Sequence, residues 1–139
     1  MLKLRTGMST RRRGTLATVA TAAAVATLLS ATPSALAADP TTPIDLRDGE
    51  TRLTGTLHWH QRSLGVDYSL TTRSCTRLLV SAVDANGGEY GPVSTPSMCA
   101  DRSGSFTVSV NTPGGAASAV ICLVGTSGTS GVCGRYNRP

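Results

Sequence analysis

The stretch Thr51-Arg52-Leu53-Thr54-Gly55-Thr56-Leu57-His58-Trp59-His60 decides the fold class. Leu53, Gly55, Leu57 and Trp59 alternate with Thr54, Thr56, His58 and His60, and a period of two sends the two sets to opposite sides of an extended chain. A helix would need its apolar positions three and four apart. The stretch therefore reads as a half-buried strand, with Leu53, Leu57 and Trp59 facing a core and both histidines facing water.

Outward from this strand the same period recurs. Val66, Tyr68 and Leu70 alternate with Asp67, Ser69 and Thr71, and Phe106, Val108 and Val110 alternate with Thr107 and Ser109. Two runs, Thr76 to Val83 and Ala119 to Val124, are more continuously apolar, the pattern of central strands covered on both faces. Asp48-Gly49 and Asn86-Gly87 tolerate positive φ and favour tight hairpins. Pro113-Gly114-Gly115 breaks the chain before the Ala119 run, and the stretch from Gly125 to Gly131 reads as a flexible loop. No segment after residue 37 has a helical period. The expected fold is all-β, a small immunoglobulin-like β-sandwich of about seven or eight short strands.

The first part of the chain reads differently. Lys3, Arg5, Arg11, Arg12 and Arg13 precede an uncharged stretch from Gly14 to Ala38, which includes the small-x-small pattern Ala35-Leu36-Ala37. This is the layout of a cleavable export signal cut before Ala38. Residues 1–37 are thus expected to be a signal peptide and residues 38–139 a single secreted β-domain. A permanent membrane anchor fits less well, because the stretch is rich in Ala and Thr and contains Pro33. A twin-arginine route would want a bulky apolar residue after the arginine pair, so Sec export is the default. No cysteine lies near the cut to carry a lipid, and the expected product is extracellular, with no membrane contact once the signal is gone.

Charge follows the same division. The whole chain has a formal net charge of +5. After Ala37, however, eight arginines face eight carboxylates, so the excess belongs to the signal. A nucleic-acid partner would need a basic face on a basic domain, and the sequence of residues 38–139 does not suggest one.

Cys75, Cys99, Cys122 and Cys133 all lie in the expected domain, and an even number in an exported chain argues for disulfides. Cys75 with Cys99 and Cys122 with Cys133 is the favoured pairing, since each pair flanks a plausible strand connection. A bridge between sheets, Cys75 to Cys122, is the main rival. Zinc is disfavoured by the absence of a Cys-x-x-Cys pair.

His58-Trp59-His60 is the most suggestive local pattern for chemistry. Histidines two apart on a strand point to the same side and can share a zinc or copper ion, with Asp67, Glu89 or Asp101 as the third ligand. The plainer reading is two solvated polar side chains. Trp59 and the tyrosines offer a sugar-stacking alternative, but parity sends Trp59 to the core with Leu53 and Leu57. Asp45, Asp48 and Glu50 surround a turn and read as solvated loop residues. No Gly-x-Ser-x-Gly elbow occurs, and oxidised cysteines supply no thiolate. No catalytic residue, metal or cofactor is therefore assigned.

The Leu-x-Gly-x-Leu-x-Trp strand from Leu53 to Trp59 and the run Cys75-Thr76-Arg77-Leu78-Leu79-Val80, behind an arginine-led Ala/Thr signal, resemble the small secreted β-domain proteins of actinobacteria. That resemblance implies no activity. Secreted subtilisin inhibitors of the same bacteria share the size and two disulfides, and Ser97-Met98-Cys99-Ala100-Asp101 is a local echo of them. Their Cys-Pro-Met reactive segment is absent, so no reactive-site residue carries over. The expected function is a non-enzymatic binding module acting on a protein or cell-envelope partner. An inhibitor of an extracellular hydrolase, with Ser94 to Asp101 as a tethered loop, is one form of it. The alternative is a metal-binding protein or metal-assisted enzyme built on His58 and His60.

Overall fold

A computed structural model of the chain describes residues 38–126 and 131–139. The expected signal peptide lies outside the described residues. Eight strands form the domain: β1 (Thr41–Asp48), β2 (Thr51–Trp59), β3 (Ser63–Thr71), β4 (Thr76–Asp84), β5 (Glu89–Ser94), β6 (Arg102–Ser109), β7 (Ala116–Gly125) and β8 (Val132–Asn137). They make two four-stranded antiparallel sheets, β1-β2-β3-β6 (sheet 1) and β5-β4-β7-β8 (sheet 2). From β2 onward the order is the Greek-key plan of an immunoglobulin-like sandwich, with β3 beside β6 in one sheet and β4-β7-β8 in the other. β1 is an added outer strand.

Inward rows of the two sheets supply the core. Leu53, Leu57 and Trp59 of β2, Leu64, Val66 and Leu70 of β3, and Val108 of β6 face Leu78, Val80 and Ala82 of β4 and Ala119, Ile121 and Leu123 of β7, all buried. Each fully buried Leu or Ile is worth roughly 1.5–3 kcal/mol relative to exposure, so these rows decide which face of each strand turns in. Trp59 has no exposed surface, and its indole N–H donates to Thr42 Oγ1 at 2.8 Å, so the largest side chain is buried with its polar atom satisfied.

The turns follow from local chemistry. Gly49 and Glu50 form the two-residue loop between β1 and β2, and Gly49 at its first position has φ 59°, which a type II′ hairpin requires there. Gly104 serves close approach instead. It pairs with Tyr68, whose hydroxyl lies 2.8 Å from the place a β-carbon would occupy. The tyrosine ring fills the space that the glycine leaves, and it meets Phe106 at a centroid distance of 6.0 Å.

Both favoured disulfides are present, Cys75–Cys99 and Cys122–Cys133. Cys122 and Cys133 are directly opposed across β7 and β8, with Cα atoms 4.0 Å apart. Cys75–Cys99 joins the entry of β4 to the crossover between β5 and β6. A short ladder reinforces it, with Thr76 N–H donating to Met98 C=O at 2.9 Å and Met98 N–H to Thr76 C=O at 2.7 Å.

Two expectations need correction. Asp45 and Asp48 are strand residues of β1, and only Glu50 lies in the turn. Asp45 holds a two-pronged ion pair with Arg52 across the hairpin, at 3.1 and 2.9 Å. The apolar runs of β4 and β7 are central in their sheet, yet among the described residues no element covers their outer side: Leu79, Val83, Val120 and Val124 remain half-exposed.

Replacing Cys75 and Cys99 together by alanine is expected to lower the unfolding free energy by about 3.5 kcal/mol, the chain-entropy value for a loop of this size. Urea denaturation of the variant against the parent reads this directly. A loss below about 1 kcal/mol would mean that the Thr76–Met98 ladder alone carries the closure.

Candidate functional site

β2 and β3 carry the sequence-nominated histidines to the outer face of sheet 1. His58 pairs with Gly65 and lies diagonal to Asp67, whose carboxylate bonds His58 Nε2 at 2.9 Å. His60, just past the end of β2, places Nδ1 2.6 Å from Asp39 Oδ2. The two rings are nearly parallel, 10° apart in plane, with centroids 6.4 Å from one another. Gly65 has no side chain to fill the space beside them. An open depression of about 450 Å³ results, lined by His58, His60, Asp67, Ser105 and Thr107.

This geometry separates the proposed ligands. Of the three carboxylates nominated as a third ligand, only Asp67 reaches a histidine. Asp101 accepts the Thr72 N–H at 2.8 Å, and Glu89 is on β5 in the other sheet. Each imidazole has its own carboxylate, and among the described residues no three His, Cys, Asp or Glu side chains are grouped to hold one ion. Each pair is thus an imidazole oriented by a carboxylate, and among the described residues no serine or threonine hydroxyl is hydrogen-bonded to either ring.

The remaining nominated residues serve structure. Trp59 is wholly inside and offers no stacking platform. Met98, central to the echo of a protease-binding segment, is buried and receives the Tyr68 hydroxyl on its sulfur at 3.7 Å. Around it Ser94, Pro96, Ser97, Cys99, Ala100 and Asp101 remain exposed. Tyr136 donates to the Asp45 carbonyl at 3.4 Å, and Tyr90 turns toward Asp84.

Asp84 is the polar centre that the sequence reading did not single out. It ends β4 almost buried, and its Oδ1 accepts the N–H groups of Asn86 and Gly88, both at 2.8 Å. Oδ2 accepts the Thr112 hydroxyl at 2.8 Å, and the Tyr90 hydroxyl shares its one proton between Thr112 Oγ1 and Oδ2, the latter at 3.3 Å. One carboxylate thus joins the β4–β5 hairpin, β5 and the β6–β7 crossover. The Thr112 bond, followed by the Gly88 N–H, holds the Asp84 carboxyl below its ordinary range. The sequence signal was present: an Asp two residues before Asn-Gly is placed for an Asx turn.

The outer faces of the two sheets differ in chemistry. Thr54, Thr56, Ser69, Ser103 and Ser105 face outward on sheet 1 around a second shallow depression of about 470 Å³. On sheet 2 the outward positions include Leu79, Val83, Val120, Val124 and the Cys122–Cys133 bridge, with Ser81 between Leu79 and Val83 and with Arg77, Glu89, Ser94, Arg135 and Asn137 exposed around them. Compared with protein-family models, curated proteins and solved structures, the chain has no significant match.

Because the Asp84 pKa is lowered in the folded state, its contribution is present above the unfolded value of about 3.9 and is lost as pH falls through the lower folded value. The parent's melting temperature should therefore drop below about pH 4. Asp84→Asn should melt lower at pH 7 and show a shallower acid loss. Parallel curves for the two proteins from pH 7 to pH 2 would remove Asp84 from this role.

Proposed function

We propose that the protein is a secreted, non-enzymatic binding module whose contact surface is the outer face of sheet 2. The observation that carries this reading is the contrast between the two outer faces. Sheet 1 presents hydroxyls to water, as a solvated sheet face does. Sheet 2 instead keeps Leu79, Val83, Val120 and Val124 half-exposed in adjoining rows, interrupted on β4 by Ser81 alone. An apolar surface of this kind, rimmed by polar residues, is what a recognition site offers.

The rim indicates the partner. Arg77 and Arg135 flank the aliphatic rows, and arginine at the border of an apolar patch suits a protein surface bearing carboxylates around an apolar centre. The two disulfides fit an oxidising compartment, which agrees with an extracellular partner. An extracellular hydrolase inhibited by this contact is the specific form that enzyme titration separates from passive binding.

Immobilised protein should retain a defined extracellular or cell-surface protein. Val120→Arg should weaken that retention at least about tenfold, while Thr56→Arg on the other sheet leaves it unchanged. Equal retention by both variants would remove sheet 2 as the contact face, and retention of envelope polymer alone would replace the protein partner.

A further inference from the structure

We propose that the free edge of β6 is a strand-addition site for a second copy of this chain, joining the two sheets 1 into one eight-stranded sheet. The case begins with the phase of hydrogen bonding. Val110 N–H donates to Arg62 C=O at 2.8 Å, in the same register that pairs Leu64 with Val108 and Val66 with Phe106. Hydrogen-bonded and non-hydrogen-bonded pairs alternate in an antiparallel ladder. The even-numbered residues of β6 therefore bond β3, and Ser103, Ser105, Thr107 and Ser109 turn their N–H and C=O groups away from it. Among the described residues none of those groups has a backbone partner outside the strand ladders.

The other three edges are blunted, and the same phase argument shows how. Trp59 N–H donates to Pro40 C=O, so the odd-numbered residues of β1 face outward and Pro43 puts a nitrogen without hydrogen at that edge. Thr95 N–H donates to Leu78 C=O, which likewise points the Pro92 nitrogen outward on β5, next to a bulge. β8 crosses close to β1: Asn137 C=O accepts the Thr42 hydroxyl at 3.4 Å, and Arg135 stands in the middle of its edge. β6 has eight residues, an unbroken register with β3 and no proline. Apart from Arg102 at its start, it has no proline, bulge or charge of the kind that keeps an edge from pairing.

Self-pairing fits this edge. A two-fold axis at Ser105 sets Ser105 against its own copy and Ser103 against the partner's Thr107, so outward-facing groups meet their like in roughly six backbone hydrogen bonds. Between Ser103 and Ser109 there is no charge for the symmetry to double. On the inner side the partner's half-exposed Phe106 falls opposite Gly104, where it meets the Tyr68 ring that covers the glycine. This surface is separate from the outer face of sheet 2, and the two readings stand or fall independently.

Sedimentation of the purified protein from about 1 µM to about 1 mM tests it. A monomer–dimer equilibrium is expected. Ser105→Pro removes an N–H that β3 does not use, and Ser105→Lys sets like charges opposite each other; each should raise the dissociation constant at least about tenfold. Thr56→Lys, on the same face but away from the edge, should leave it unchanged. If the proline variant does not fold, the lysine variant decides. A protein that stays monomeric throughout, even one that takes up an extended peptide at this edge, overturns the proposal, as does a dimer that Ser105→Lys leaves intact.

Discussion

Alternation governs this molecule twice over. Side chains alternate between the two faces of each strand, and backbone hydrogen-bonding groups alternate between its two neighbours. The first alternation puts Leu53, Leu57 and Trp59 inside and His58 outside. The second fixes which residues of β1, β5, β6 and β8 look outward from a sheet edge. Core, outer faces and edges all follow from one phase per strand, and a slip by one residue would invert all three.

The first alternation was legible in the sequence and the second was not. Parity alone sent Trp59 inward, set both histidines on one outer face and marked β2, β3 and β6. Cysteine number and spacing led to the observed pairing. β1 escaped notice because Pro43 and its charged residues resemble a loop, which is what an edge strand blunted by proline looks like in one dimension. The runs of β4 and β7 misled in the opposite direction. An aliphatic row on the outside of a sheet has the same letters as one buried under another layer, and only the arrangement of the remaining elements tells them apart. Hydrogen-bond phase depends on which strand is the neighbour, so the open edge of β6 had no signal in the residues themselves.

The site chemistry divides along the same line. His58 and His60 were visible because their spacing is local. Their separate partners, Asp67 and Asp39, come from a neighbouring strand and from the segment before β1, and nothing local selects them. Asp84 draws on both kinds of information. Its Asx turn is local, whereas its bond to Thr112 spans the crossover between sheets. The two ends of the sandwich are held by different chemistry: the Cys75–Cys99 bridge where β4 begins, and a hydrogen-bonded carboxylate where β4 ends and β7 begins.

The sulfur bridges sit where the backbone has already brought the cysteines together. Cys122 and Cys133 are ladder partners, and Cys75 and Cys99 adjoin the paired residues Thr76 and Met98. Neither bridge reaches between the inner faces of the sheets. Each bridge therefore doubles a contact that the backbone ladder also makes, and holds neighbouring strands in register instead of tying one sheet to the other.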